Sequence, residues 1–348
     1  MSNKPEIKGD GPVKDIVLAA DEGRLDVITA LLESGIDPNT VDETGTSALH
    51  NAARRGHWHT ARLLLEKKAS PRIQDGNNAT PLHHAIRAGH AQIVRLFLEC
   101  DPSLSDYKEG VSYGPIHVAA VKGYARIVQL LVDYNAPTLE ESASGQTALH
   151  LAAERGHHDV CEILLKHDKQ LPRSAWDRLF GPSLEVHAKD EVGNTAFALA
   201  VEKGFHQTVD VFLRYHPELA NTSNRWKELN FHLAVESGHI KTVEAFLNNG
   251  ANVDMKGKEG RRALHVAVAR HSLGYSIDGK ADAMIDCLLE HGAIANAKDN
   301  HGNLPEYHSS DPKTRMKLRN HATAQVSGKP VPPAPTSISS APPPAYKA

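Results

Sequence analysis

The chain repeats one short sequence at an almost constant interval, and this period limits the fold more than any other feature. The copies are marked by a Leu-His or related pair whose histidines are His50, His83, His117, His150, His232 and His265. The first four follow one another after 33, 34 and 33 residues, and the last two are again 33 apart. A degenerate copy, TAFALAVEKGF, has Ala198 in place of the histidine. Such a period predicts stacked copies of one small structural unit.

Each copy contains two apolar segments that read as a pair of helices. The first is short and rich in alanine, as in ALHLAAERGH, so that a second helix can approach it closely. The second, as in RIVQLLVDYNA, has apolar residues three and four apart, which is typical of a helix with one buried face. Glycine stands between the segments at Gly56, Gly89, Gly123, Gly156, Gly204 and Gly238. The unit is therefore predicted as helix, sharp turn, helix and polar loop.

The copy ATPLHHAIRAGHAQIVRLFL, residues 79–98, resembles the ankyrin repeat, whose pattern is T-P-L-H-x-A-A-x-x-G-H-x-x-I-V-x-x-L-L. The resemblance covers residues 13–310 and is specific because the pattern recurs. It implies an all-α ankyrin-repeat solenoid of about nine helix-turn-helix repeats with short β-hairpin fingers. Terminal copies without the T-P-L-H signature are expected, since the ends of a stack face water on one side.

Composition and period divide the chain into three predicted parts: a disordered N-terminus at 1–12, the solenoid at 13–310 and a flexible proline-rich tail at 311–348. Insertions interrupt the period near 170–187 and 271–283. The first carries three large apolar side chains, Trp176, Leu179 and Phe180. Long insertions in repeat proteins form loops that often have a function. Packing of Trp176 against the solenoid and contact with a partner both remain open.

The stretch GVSYG, residues 110–114, matches the G-x-S-x-G signature of a serine-hydrolase nucleophile elbow. In the register of the repeats, Gly114 to His117 occupy the T-P-L-H slot, so Ser112 falls in the loop before a first helix. An elbow needs a buried strand before the turn, whereas ECDPSLSDYKE is polar and turn-forming. A serine hydrolase using Ser112 is therefore only a remote alternative, and no catalytic residue is predicted.

Charge and cysteine content restrict the classes of partner and compartment. The net charge is −3 with acids and bases mixed along the chain, and no basic stripe predicts a nucleic-acid partner. The three cysteines, Cys100, Cys161 and Cys287, have no C-x-x-C spacing and fit a reducing compartment. No apolar run reaches the length of a membrane span or a signal peptide. The prediction is a cytoplasmic or nuclear protein.

Twenty-two histidines raise the question of a metal site. Equivalent positions in stacked helices lie about 8–10 Å apart, whereas zinc needs its nitrogen ligands at about 2 Å. Two equivalent histidines therefore cannot share one ion. Each imidazole is instead predicted to hydrogen-bond loop backbone and join one copy to the next, and no metal or cofactor is expected. The cysteines, on or at the end of second helices, are interpreted as small buried apolar residues.

The ankyrin resemblance implies that the loops joining copies, the fingers, form a groove with the first helices and bind a client protein there. The predicted finger tips are the middle two residues of each D-x-x-G slot: Glu43, Thr44, Gly76, Asn77, Ala143, Ser144, Glu191, Val192, Arg225, Trp226, Lys258 and Glu259, with Asn300 and His301 in the last copy. The finger between Tyr107 and Tyr113 cannot be aligned securely. Trp226 is either a binding anchor or folds back onto its neighbour.

The tail contains Pro343-Pro344-Ala345-Tyr346, a PPxY motif. WW domains bind such motifs by placing two prolines across an aromatic groove and the tyrosine in an adjoining pocket. The motif implies recruitment of a HECT-type ubiquitin ligase, because many of these enzymes carry WW domains. A second stretch, Lys329 to Pro335, resembles a class I ligand of Src-homology-3 domains. Chance matches are common in proline-rich tails.

The resulting prediction is a non-catalytic scaffold or adaptor whose groove holds a client protein and whose tail recruits a WW-domain partner. The alternative is a stoichiometric regulator that masks its client and makes no use of the tail. Neither the client nor the oligomeric state follows from the sequence, because one fold serves many functions.

Overall fold

The structure, a computed structural model, describes residues 11–107, 113–170, 184–272 and 280–327. The chain divides into two compact units, one ending at Tyr215 and one beginning at His216. The first is called unit 1 and the second unit 2. Each consists of helix pairs joined by polar loops, which confirms the predicted all-α ankyrin-repeat fold.

Unit 1 contains helix pairs of similar length. Its helices are α1 Pro12–Glu22, α2 Leu25–Glu33, α3 Ala48–Arg55, α4 Trp58–Glu66, α5 Pro81–Ala88, α6 Ala91–Cys100, α7 Pro115–Lys122, α8 Ala125–Asp133, α9 Ala148–Glu154, α10 His158–Gln170, α11 Leu184–His187, α12 Ala196–Lys203 and α13 His206–Tyr215. A 3-10 turn, Pro102–Asp106, follows α6. First helices pack on first helices, α3 against α1 and α5, and second helices on second helices, α6 against α4 and α8.

Unit 2 is less regular. Its helices are α14 Asn230–Ser237, α15 Ile240–Asn248, α16 Ala263–Ser272, α17 Lys280–Glu290 and α18 Pro312–Ser327, with 3-10 turns at Pro217–Asn221, Lys258–Gly260 and Pro305–His308. First helix α14 packs against α16, and second helix α15 against α17. The repeat register therefore continues within this unit.

The core follows the sequence pattern. The leucine or isoleucine of each T-P-L-H slot is buried, as Leu49, Leu82 and Leu149 show with no exposed surface. The alanines one turn later, such as Ala52, are also fully buried and let neighbouring first helices approach closely. No single pair could hide these faces, because burying them requires the next copy.

The prediction that the fingers are β-hairpins is wrong in detail. Within the described residues the fingers are tight turns without regular strands, and two isolated antiparallel bridges, Val41 with Ser47 and Ser223 with Leu229, mark where hairpin pairing begins. Each finger turn is too short for more, since the first helix starts directly after the bridge, at Ala48 in the first case. The tips are otherwise where the sequence placed them.

The predicted flexible tail at 311–348 is wrong over its first part, because residues 312–327 form α18. Asp311 starts this helix: its carboxylate accepts the backbone N–H of Thr314 at 2.8 Å and also the Thr314 hydroxyl at 2.8 Å. Leu318 is 1 % exposed and anchors the helix. The Arg319 guanidinium donates to the Glu306 carboxylate at 2.7 Å. Residues 328–348 lie outside the described part.

The insertions and cysteines can be placed in part. The first insertion runs from the end of α10 to α11, whose Val186 is fully buried, and Trp176 lies outside the described residues. In the second, α16 continues through Ser272 without a turn glycine.

Cys161 and Cys287 are buried as predicted, but Cys100 is exposed because it ends α6 on the solvent side.

Candidate functional site

An imidazole closes the first turn of most first helices. At α3 the backbone N–H of Ser47 donates to Nδ1 of His50 at 3.1 Å, and the Ser47 hydroxyl lies 2.9 Å from the same nitrogen. Because Nδ1 accepts this bond, the proton is on Nε2, which lies 3.0 Å from the carbonyl oxygen of Ala79 in the next copy. The same box is formed by Thr80 with His83 and by Thr147 with His150.

Except at His83, whose buried Nε2 has no hydrogen-bond partner in the described ranges, the Nε2 atoms join each of these copies to the following loop. The further bonds are His117 to Glu140 O at 2.8 Å, His150 to Asn194 O at 3.2 Å, His232 to Met255 O at 3.1 Å and His265 to Asn303 O at 3.2 Å. Burial lowers the pKa of His50, His83 and His232 to about 4. The imidazoles are therefore neutral at pH 7. Their predicted role in joining copies is confirmed for five of the six histidines and not for His83.

In five of the described fingers, one aspartate or asparagine side chain at the start organises the turn. Asp42 accepts the backbone N–H groups of Thr44 at 2.8 Å and Thr46 at 2.9 Å through one carboxylate oxygen. Asp75, Asp190, Asn224 and Asp299 accept the two equivalent bonds in their own fingers. Such local bonds fix a turn without strand pairing. The tip residues are thus held by backbone contacts, which leaves their side chains to solvent.

Neighbouring fingers are bonded to each other. The N–H of Gly76 donates to the carbonyl of Thr44 at 2.8 Å, and the N–H of Glu191 donates to that of Ser144 at 3.3 Å. In unit 2 the N–H of Asn300 donates to the carbonyl of Glu259 at 2.9 Å. A turn glycine makes room for this approach, since an added Cβ at Gly45 would lie 2.9 Å from the backbone nitrogen of Gly76. These bonds join three pairs of neighbouring fingers, two pairs in unit 1 and one in unit 2.

All the predicted tip residues, Glu43, Thr44, Gly76, Asn77, Ala143, Ser144, Glu191, Val192, Arg225, Trp226, Lys258, Glu259, Asn300 and His301, are exposed. Their contact with a partner stays a prediction. In the altered finger, residues 108–112, with Ser112 among them, lie outside the described part of the chain. Tyr113 at the end of that finger is 38 % exposed.

Trp226 is the largest apolar side chain at a finger tip. Its ring is 56 % exposed, and the guanidinium of Arg225 lies over it at 3.9 Å from the centroid. The turn below is fixed by Asn224, which accepts the N–H of Trp226 at 2.9 Å. The ring stacks on its own loop neighbour and keeps more than half of its surface in water. Its role as a binding anchor stays a prediction.

Depressions lie between fingers and first helices in both units. In unit 1 a hollow of about 320 Å³ is lined by Lys14, Leu18, Glu43 and Asn51, among others. In unit 2 a hollow of about 630 Å³ has an apolar floor that includes Leu233 and Val266, with Glu236, Lys258 and Arg270 at its rim. Both hollows lie between a finger and first helices, where the ankyrin resemblance predicts the groove, and binding of a client there stays a prediction.

A second row of contacts lies at the turn between the two helices of each pair. Every turn glycine of this kind has a positive φ, 82° at Gly56, and the His90 ring from the next copy covers it. An added Cβ at Gly56 would lie 2.7 Å from that ring. His57, Tyr124, His157 and Phe205 cover Gly23, Gly89, Gly123 and Gly156 in the same way. Sequence reasoning assigned these glycines to sharp turns but missed the covering rings, although the aromatic or histidine after each glycine was the signal.

The described ranges contain neither a candidate metal site nor a membrane-spanning helix. No group of three or more histidine, cysteine or carboxylate side chains is arranged there to hold a metal ion. Of the helices that the structure describes, none is long and apolar enough to cross a bilayer.

Comparison with protein-family models assigns the repeats. A model described as "Ankyrin repeats (3 copies)" matches residues 16–108 and 100–175, and one described as "Ankyrin repeats (many copies)" matches residues 231–276. A search of curated proteins found no match. The matched ranges cover most of the helix pairs described above, including copies from both units. The chain therefore belongs to the ankyrin-repeat family.

Proposed function

We propose that this protein is a non-catalytic adaptor that holds a client protein in its finger-lined groove and recruits a WW-domain protein through its tail. The ankyrin repeats support the coarser conclusion that it is a protein-interaction scaffold. The observation that carries the proposal is the set of bonded finger pairs, whose turns are held by backbone hydrogen bonds while the tip side chains stay exposed. Such a surface offers side-chain contacts at little ordering cost.

The tail supports the second half of the proposal. Pro343, Pro344 and Tyr346 form the PPxY motif, which lies outside the described residues. Pro343 follows Ser327, the last residue of α18, by 16 positions (343 − 327). A chain of that length spans at most about 55 Å when fully extended. A WW-domain protein such as a HECT-type ubiquitin ligase would thus stay close to whatever the repeats hold, which raises the effective concentration of one partner near the other.

The proposal is tested by titrating an isolated WW domain of a HECT-type ligase against the full-length chain and following binding by isothermal calorimetry. We expect binding to the unchanged protein and loss of binding with Tyr346→Ala, because the tyrosine fills its own pocket on the WW domain. Pro342→Ala is the matched control, since it changes a neighbouring proline outside the motif and should bind as before. Lys329→Ala, in the second proline-rich stretch, should also leave WW binding unchanged.

Equal binding by the Tyr346→Ala variant would contradict the adaptor proposal. Client pull-downs from the full chain and from a chain ending at residue 327, the last of α18, separate it from the masking alternative. An adaptor loses the WW-domain partner on truncation and keeps its client, whereas a masking regulator loses neither.

An activity-based serine probe tests the remote alternative: labelling that disappears with Ser112→Ala would support a hydrolase.

A further inference from the structure

The hollow of unit 2 lies between two neighbouring fingers and the first helices α14 and α16. Its volume is about 630 Å³, and Leu233 and Val266, both partly exposed, form its apolar floor. Leu229, at the base of the finger that carries Trp226, lines one side. The Trp226 ring at the tip of the same finger is 56 % exposed. The hollow and this finger therefore offer both aliphatic and aromatic surface to a ligand.

Helix α18 runs from the helix-to-helix turns of unit 2 back toward its fingers. At its start, the backbone N–H of Ser310 donates to the hydroxyl of Ser272, the last residue of α16, at 3.1 Å. At its end, the Gln325 side chain donates to the carbonyl of Ala293 at 2.9 Å and accepts the N–H of Ala295 at 3.2 Å. These alanines lie in the loop between α17 and the last finger. The chain therefore leaves α18 on the side of unit 2 that carries the fingers.

The loop that holds the end of α18 is bonded in turn to the copy beside the hollow. The backbone N–H of Ile294 donates to the Asp254 carboxylate at 3.1 Å. The guanidinium of Arg262 donates to the carbonyl oxygen of Asp254 at 3.1 Å, and the preceding residue, Arg261, lines the hollow. Packed helices are separated by about 8–10 Å, so the end of α18 lies at most two packing steps, about 20 Å, from the hollow.

The sequence that follows α18 fits this span. Residues 329–335, Lys-Pro-Val-Pro-Pro-Ala-Pro, lie outside the described part of the chain and have no role in the proposed function. Pro335 follows Ser327, the last residue of α18, by eight positions (335 − 327). A polyproline helix advances about 3.1 Å per residue, so eight residues span about 25 Å. The segment is therefore just long enough for its prolines to reach the hollow.

The chemistry of the hollow agrees with a proline-rich ligand. Grooves with exposed aromatic rings bind such segments, because a polyproline helix is already extended before it binds. The rim of the hollow carries both signs of charge, from Glu236 on one side and from Lys258 and Arg270 on the other, so charge does not select the ligand. Apolar contact and the length of the tether select it. The prolines at 342–344 are farther along the tail, and a longer tether lowers the effective concentration.

We propose that residues 329–335 dock in the hollow of unit 2 against Trp226, so that the chain itself provides a ligand for its groove. This goes beyond the proposed function, because a client that uses the hollow must first displace the segment. A short tether gives an effective concentration in the millimolar range, so even weak contacts suffice for docking. The PPxY motif, Pro343 to Tyr346, is not part of the docked segment and stays available to a WW domain.

The test uses the full-length chain labelled with 5-fluorotryptophan. Fluorine NMR then reports the three tryptophans alone, Trp58, Trp176 and Trp226. The resonance of Trp226 is assigned by its loss in Trp226→Phe. We expect Pro332→Ser with Pro333→Ser to shift the Trp226 resonance and to leave that of Trp58 unchanged, because docking places the prolines against the first ring only.

The matched control is Pro342→Ser with Pro343→Ser, which removes the same number of prolines from the other cluster of the tail. It should leave the Trp226 resonance where it is in the unchanged chain. Spectra at several protein concentrations check that the contact is made within one chain. A Trp226 resonance that depends on concentration would assign the contact to a neighbouring copy and overturn the proposal.

A peptide with the sequence of residues 328–337 provides the second measurement. Added to the Pro332→Ser, Pro333→Ser variant, it should return the Trp226 resonance to its original position. We expect the peptide to bind this variant at least about tenfold more tightly than the unchanged chain, because the chain's own segment competes at a high effective concentration. Leu233→Ser, added to the variant, should weaken the peptide, since it removes part of the apolar floor.

Two further results would overturn the inference: a Trp226 resonance that does not shift in the Pro332→Ser, Pro333→Ser variant, or equal shifts in this variant and in the control. The calorimetric WW titration on the same variant keeps the two proposals apart. If the variant binds the WW domain but its Trp226 resonance is unshifted, the docked segment is wrong and the adaptor function stands. If the resonance shifts but no WW domain binds the unchanged chain, the adaptor function fails and the docked segment stands.

Discussion

The two units build first helices from the same pattern but begin and end them differently. In unit 1, α3 begins with Ser47 bonded to His50 and ends at Gly56, which the next copy covers. In unit 2, α14 begins after Leu229, which provides no side-chain cap, and α16 runs on to Ser272 without a turn glycine. Yet His232 and His265 keep their bonds to the following loop. The link to the next copy thus persists where the local cap is lost.

This difference indicates which interactions the fold needs. A helix of eight residues tolerates a missing side-chain cap at a cost of about 1 kcal/mol. A missing link between copies leaves a buried carbonyl or imidazole without a partner, which costs about 1–3 kcal/mol and also loosens the stack. Unit 1, built from regular copies, presents a periodic surface, whereas unit 2 closes its irregular end with α18.

The largest expected effect is a loss of stability in acid that is greater in unit 1 than in unit 2. The ordinary histidine pKa is 6.5, and burial lowers that of His50 and His83 in unit 1, and of His232 in unit 2, to about 4. Between these values the unfolded chain binds more protons than the folded one. Stability is therefore complete above pH 6.5 and falls as the pH drops toward 4, by about 2 kcal/mol per histidine at pH 5.

Hydrogen exchange read by mass spectrometry at pH 7.5 and pH 5.0 checks this, because it reports peptides of each unit separately. We expect the free energy of opening to fall by at least about 4 kcal/mol in unit 1 and at least about 2 kcal/mol in unit 2 after correction for intrinsic exchange, because burial also lowers the pKa of His150 in unit 1 and of His265 in unit 2. His50→Gln should reduce the drop in unit 1 by about 2 kcal/mol. A larger drop in unit 2 than in unit 1 would show that the comparison is wrong.

The next effect concerns the covered glycines. Gly123 in unit 1 has φ 71°, and an added Cβ would lie 2.6 Å from the His157 ring. Gly250 in unit 2 has φ 81° with no atom within 4 Å of such a Cβ. We expect Gly123→Ala to lower the free energy of unfolding by about 3 kcal/mol and Gly250→Ala by about 1 kcal/mol, measured by urea denaturation.

A second substitution tests the cause of that difference. Combining Gly123→Ala with His157→Ala removes the ring that the new methyl group would strike, so part of the lost stability should return even though His157 gives up its bond to Val121. If the double variant is as unstable as the sum of the single ones, the covering ring is not the reason for the glycine.

The smallest of the three effects concerns the closed end of unit 2. Leu318 in α18 is 1 % exposed, whereas Met316 in the same helix is 66 % exposed. Leu318→Ala should lower the free energy of unfolding of unit 2 by about 2 kcal/mol, and Met316→Ala should leave it unchanged within about 0.5 kcal/mol. Hydrogen exchange of peptides from α16 and α17 provides the measurement. If neither substitution changes the free energy of unfolding, α18 does not belong to the folded unit.

Local period and composition sufficed to predict the helix pairs, their turns and the exposed finger tips. They failed for α18, since only Thr314 and Leu318 of that helix are deeply buried and such a sparse pattern resembles a polar tail. They also failed for Cys100, which was predicted to be buried. Cys100 is exposed, because it lies just outside the buried face of its helix.

The rings that cover the turn glycines come from the following copy, so these contacts run in one direction along the chain. In unit 1, the turn glycines from Gly23 to Gly156 are each covered by a ring from the following copy, so each of these copies is complete only together with its successor. Whole copies can therefore be gained or lost in evolution without disturbing the others. A deletion of one residue inside a copy instead displaces a ring from its glycine and disturbs two copies at once.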